Sequence, residues 1–163
     1  MIVRWKVLIL KQIRWKKKTS FHRKLNRMNL VLKRINDQIA FEAVNEEGKS
    51  QLFDGAPQFG GQGLGMRPME SLAASLAACV SMDILLILRK KRMEPAFYEV
   101  HISAARKAEM PKSFTLVRLD LHVDKKLDLE TVQRVADMSL ENYCSVASSL
   151  SHEVVIEMKV VPV

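Results

Sequence analysis

Residues 68–92 read PMESLAASLAACVSMDILLILRKKR, and the fold turns on what this stretch is. Pro68 suits the first position of a helix, where its missing N–H would have no partner anyway. Glu70 in the first turn and Arg89-Lys90-Lys91-Arg92 in the last both complement the helix macrodipole. Between them Ser71–Leu88 carries one charge, Asp83. Eighteen such residues are long enough to cross a bilayer. Asp83 near the centre, the serines and alanines, and a chain-wide mean hydropathy close to zero argue instead for a soluble protein. A helix apolar on every side is one buried in the middle of an assembly. The small residues at 73, 74, 77 and 78 let another backbone come close, and 163 residues hardly suffice to surround such a helix. An oligomer is expected.

On the N-terminal side, residues 29–35 and 39–44 read as two short strands, with Asn36-Asp37-Gln38 as the turn of a hairpin. All six glycines lie between positions 48 and 65, five of them in GAPQFGGQGLG (55–65). No Lys-Ser/Thr pair follows, so this is no phosphate-binding loop. It reads as a long flexible surface loop, a mobile flap or a place where backbone approaches something closely.

On the C-terminal side two strands alternate cleanly. Tyr98, Val100, Ile102 and Ala104 face one way, as do Val117, Leu119, Leu121 and Val123. A period of two implies an antiparallel sheet wet on one face. A second helix fits Leu129–Tyr143 with Asp128 as its cap, and Val154, Ile156, Met158 and Val160 mark a closing strand. The order β-β-loop-long α-β-β-α-β is α+β.

The formal net charge of +8 is local. Residues 1–27 hold ten Lys/Arg and no acid, which leaves 16 basic and 18 acidic residues in 28–163. Three readings fit this extension: an amphipathic helix on anionic lipid anchored by Trp5 and Trp15, a nucleic-acid-binding arm, or non-native sequence ahead of a functional start at Met28. The third fits best, because organised patterning begins at Met28 and charge-rich tails form little structure. No nucleic-acid partner is expected of the domain at 28–163, and no membrane contact except through residues 1–27.

Cys79 and Cys144 are the only two cysteines. With no secretory signal legible, they suggest a reducing compartment, taken as the cytoplasm. Cys79 lies inside the long helix and Cys144 opens the small-residue stretch Ser145–Ser149 at a helix end. Two such thiols are either inert packing or a redox couple, if the fold joins them. Glu70 stands nine residues before Cys79, about 13 Å along the axis and on the opposite face. A site holding Cys79 with Glu70 or Arg67 therefore takes them from two chains. The histidines at 22, 101, 122 and 152 have no metal-ligand spacing, and no metal or cofactor is expected.

Arg67-Pro68-Met69-Glu70 through Ala77-Ala78-Cys79 and Ser81-Met82-Asp83 resembles the first-cysteine helix of the OsmC/Ohr superfamily. Asn142-Tyr143-Cys144-Ser145-Val146 is similar to its second-cysteine motif. The resemblance spans about residues 28–163 and looks closest to the YhfA-type branch of OsmC-like proteins. It implies an intertwined homodimer with two long central helices packed together and interface sites acting as thiol peroxidases on organic or lipid hydroperoxides. By it Cys79 is the peroxidatic thiol and Cys144 the resolving one, with Glu70 and Arg67 supplied by the partner chain. An external dithiol of lipoyl or thioredoxin type restores the pair. The family's peroxidases carry Asn-Pro-Glu where this chain has Arg67-Pro68-Met69, and a hairpin arginine for which only Arg34 stands nearby. A non-catalytic dimer binding an apolar or electrophilic ligand in the same pocket is the alternative.

Overall fold

The computed structural model describes residues 27–163. All but the last residue of the basic extension read at 1–27 therefore lies outside the described residues. Two three-stranded sheets and a layer of helices make up the rest. The first sheet holds β1 (Leu30–Arg34), β2 (Phe41–Asn45) and β3 (Ser50–Phe53), antiparallel throughout. The expected hairpin is β1–β2. Its turn is built by Asn36, whose side-chain oxygen accepts from the N–H groups of Gln38 and Ala40. Arg34 donates to the carbonyls of Asp37 and Gln38, which commits its guanidinium to that turn.

Helix α1 (Pro68–Lys90) follows, then β4 (Tyr98–Arg106), β5 (Phe114–Val123), α2 (Leu129–Asn142), α3 (Ser145–Ser149) and β6 (Val155–Pro162). Asp128 caps α2 by accepting from the N–H and hydroxyl of Thr131. β4 and β5 pair antiparallel, but β6 joins β5 in parallel. The second sheet is thus mixed, where an antiparallel one is expected from alternation alone. The reason is topological: α2 and α3 carry the chain back over the sheet, so the next strand runs the same way as the last.

One core lies between this sheet and the helices. Leu76, Val80, Ile84 and Leu88 of α1 meet Val117, Leu119, Leu121 and Val123 of β5, with Val132, Val135 and Ala136 of α2 closing the side. Each fully buried leucine or isoleucine contributes about 2 kcal/mol of transfer free energy.

Helix α1 passes the length and apolarity test for a membrane span, yet it covers the sheet as a core helix. It is not buried on every side within the protomer. Leu72, Ser75, Ala78, Met82 and Leu86 form an uncovered stripe, with Met82 65% and Leu86 54% exposed. Asp83 sits half-buried beside that stripe, and among the described residues it forms no ion pair. The first sheet is barer still. Leu30 and Leu32 are 64% and 62% exposed and neighbouring Val31 is exposed too, so both faces of β1 lack cover. Its ties to the body are few. The Gln51 amide donates to the Ser71 hydroxyl at 2.8 Å, and Phe53 bridges to Met66. A three-stranded sheet without packing on a face has little stability of its own.

Candidate functional site

Cys79 sits three turns into α1, half-buried against the core. Cys144 is 3% exposed and occupies the cap position of α3, where its sulfur accepts from the Ala147 N–H at 3.3 Å. The two thiols are neighbours in the same core where α3 packs on α1, with Cys79 near enough to act on the Cys144 thiol. Both are free. Two local facts bring about this meeting. The small residues Ser145–Ser149 let α3 pack closely on α1. The chain also turns sharply after α2, with Tyr143 and Cys144 both donating to the Ser139 carbonyl. Burial pushes the Cys144 thiol above its ordinary value, and the neighbouring Cys79 pushes the same way, against the Ala147 N–H.

Arg67 and Glu70 lie elsewhere in the protomer, at the start of α1. The Arg67 backbone N–H donates to the Glu70 carboxylate at 2.9 Å, so Glu70 caps its own helix, and the Arg67 guanidinium is 3.9 Å away. Both side chains are exposed. They border an open groove of about 1220 Å³ whose other walls include Ile102, Arg106, Met110 and Phe114. Neither cysteine lines it. Ile102 and Ala104, expected on the covered face of the sheet, are exposed in this groove instead. The first turns of α1, from Pro68 to Ala74, line the same groove without closing over them.

Asp54 is absent from the sequence reading and organises this region. It is buried, and its carboxylate accepts from the N–H groups of Gly55, Gln62 and Leu64 at 2.7–3.0 Å. Leu64 and Gln62, with Gly55 adding less, hold the carboxyl below its usual value. The glycine segment is therefore a bonded loop and not a free flap. A Cβ at Gly61 would stand 1.9 Å from the Gly55 carbonyl oxygen, and one at Gly65 2.5 Å from Leu52. An acid placed just ahead of a run rich in small residues and bare N–H groups is the signal that identifies Asp54.

A second hollow, of about 360 Å³, opens at the start of α3. It is lined by Glu141, Asn142, Tyr143, Cys144, Ser145 and Ser148, among others, and shares no residue with the groove. On the outer face of the sheet His101 and His122 stack, ring centres 4.2 Å apart, with Glu99 2.6 Å from the His101 ring. Among the described residues no group of three His, Cys, Asp or Glu is placed to hold a metal ion.

The sequence profile described as "OsmC-like protein" matches residues 61–159. The chain is similar to Protein YhfA of Escherichia coli (strain K12), 36% identical over 88 residues that cover 53% of this chain and 66% of YhfA. The match thus spans just under two thirds of that relative's length. Among solved structures it resembles an OsmC-like protein from Mycoplasma pneumoniae, with TM-score 0.70, 15% identity, and coverage of 84% of this chain and 97% of that one. It also resembles the organic hydroperoxide resistance protein OsmC from Legionella pneumophila, with TM-score 0.61, 17% identity, and coverage of 81% and 96%. A third is the organic hydroperoxide resistance protein OhrB of Bacillus subtilis, with TM-score 0.59, 18% identity, and coverage of 83% and 98%. At these identities the structures speak to fold alone. The profile match runs from the glycine loop into the last strand and contains both cysteines, and the chain belongs to the OsmC-like protein family.

Proposed function

We propose that the protein is a thiol-dependent reductant of organic hydroperoxides, working through Cys79 and Cys144 as a redox pair. The observation that carries this reading is the convergence of the two cysteines where α3 packs on α1. The Cys79 thiolate attacks the outer oxygen of R–O–OH, the O–O bond breaks, and R–OH leaves with a proton. Cys79 is then a sulfenic acid. The Cys144 thiol condenses with it, forming the disulfide and releasing water. An external dithiol returns two electrons and two protons to the pair. Membership of the OsmC-like family and likeness in fold to two organic hydroperoxide resistance proteins support the reading.

The working unit in this proposal is a homodimer in the cytoplasm. The bare faces of β1 and the uncovered stripe of α1 are what a second copy would cover. Arg67 and Glu70 border a groove that holds neither cysteine of their own protomer, so a second protomer would have to bring them to Cys79. Purified protein should consume cumene hydroperoxide in the presence of dithiothreitol, and Cys79→Ser should abolish this. Normal turnover by that variant, or none by the wild type with any dithiol, would sink the proposal.

One observation favours a second reading. The groove bordered by Arg67 and Glu70 is mostly apolar and lacks both thiols, as suits a family member that binds an apolar ligand without turning it over. In that case affinity for the ligand survives Cys144→Ser.

A further inference from the structure

We infer that the dithiol which restores the pair attacks Cys144, entering through the small polar hollow at the start of α3. This rests on the redox-pair reading and adds to it a side of entry and the sulfur attacked. Two openings serve different chemistries. The groove is walled by Ile102, Met110 and Phe114, and suits an alkyl chain. The hollow is walled by Glu141, Asn142, Ser145 and Ser148, and suits a polar stem. Cys144, though only 3% exposed in the protomer, lines the hollow, whereas Cys79 lines neither opening. Cys79 stands on α1 beside Ala78 and Met82, on the side a second copy would cover.

The step balances as an ordinary thiol–disulfide exchange. The incoming thiolate bonds to the Cys144 sulfur, the Cys79–Cys144 bond breaks, and its electron pair leaves on Cys79, which takes up a proton. The second thiolate of the reductant then attacks its own sulfur in the mixed disulfide, closing a cyclic disulfide and releasing the Cys144 thiol. Burial and the adjacent sulfur make Cys144 reluctant to carry charge, so it leaves poorly and exchange runs better when the other sulfur is expelled. A hollow of about 360 Å³ is at the lower end of small-ligand sites. The reductant is therefore a small dithiol or one borne on a slender arm.

The test separates this inference from the peroxidase reading, because diamide forms the disulfide without any hydroperoxide. Reduction of the diamide-oxidised protein by dithiothreitol is followed in the wild type, Ser148→Ala and Ser148→Trp. Ser148 is exposed in the hollow. Starting from protein fully oxidised by diamide in each case, the indole should slow reduction at least tenfold and the alanine should not. A second measurement needs no variant: oxidised wild type is exposed briefly to 2-mercaptoethanol, quenched in acid and mapped by mass spectrometry. The mixed disulfide should sit on Cys144. Unchanged reduction of Ser148→Trp, or an adduct formed first on Cys79, overturns the inference.

Discussion

Cys79 and Cys144, 65 residues apart in the chain, are brought into one core where α3 packs on α1, near enough for Cys79 to act on the Cys144 thiol. Neither belongs to a sequence-local motif with the other. The juxtaposition depends on β5, α2 and the sharp turn at Ser139–Cys144 acting together. Of the two, Cys144 is buried and capped, and burial favours its thiol form.

That protonation has a consequence for stability. Burial raises the Cys144 thiol and the Tyr98 hydroxyl above their ordinary values. The unfolded chain gives up both protons first, so the folded state binds more protons and its stability falls as pH rises. The contribution is complete below about pH 9 and is lost as pH climbs through the folded values. On the acid side hydrogen bonds from Leu64 N–H, Phe97 N–H and the Thr131 side chain hold Asp54, Asp124 and Asp128 below the usual carboxylate range, and their contribution disappears as pH falls through those lowered values. Urea midpoints should therefore be flat between about pH 5 and 8 and decline on both sides. A midpoint rising between pH 9 and 11 would contradict the burial of Cys144.

The Tyr98 hydroxyl is buried with no hydrogen bond in good geometry, although Ser81 lies beside it. Tyr98→Phe removes an unpaired polar group and should raise stability by about 1 kcal/mol. Chemical denaturation checks this, and a loss of similar size would mean that the Ser81 contact is a real bond.

Gly61 is pressed against the Gly55 carbonyl. Gly61→Ala should cost about 1–3 kcal/mol, whereas Gly48→Ala, with open space but φ of 77°, should cost only the left-handed backbone strain of about 1–2 kcal/mol. Asp54→Ala frees three N–H groups at once and should expose 55–65 to limited proteolysis. Resistance equal to that of the wild type would show that the loop does not depend on this carboxylate.

Leu86→Lys places a charge in the middle of the uncovered α1 stripe without touching the core. In the proposed dimer it should shift the protein to monomers, as read by light scattering. If the wild type is itself monomeric at micromolar concentration, the proposed assembly is wrong.

Most of this fold was legible because its periodicities are strong. Ser71–Leu88 could only be a helix, and Val117 to Val123 could only be a strand with one face covered. The misses have physical causes. β3 is short and polar (Ser50-Gln51-Leu52-Phe53), and its strand character comes from pairing with β2 across the turn at Asn45–Gly48. The parallel pairing of β6 depends on a crossover that alternation cannot report. Incomplete cover of α1 within one protomer was expected, but not that Met82 and Leu86 lie on the bare face, because a helix apolar on every side does not single one out. In the candidate site both thiols were singled out from their local settings. Asp54 was missed because its role comes from backbone N–H groups eight and ten residues away.

The most direct test is the mass of the reduced protein after one equivalent of cumene hydroperoxide, followed by peptide mapping. The expected result is the loss of two hydrogens and a Cys79–Cys144 cross-link. Sulfinic acid on Cys79 with Cys144 still free, or protein unchanged by the peroxide, would contradict the pairing on which the proposed function stands.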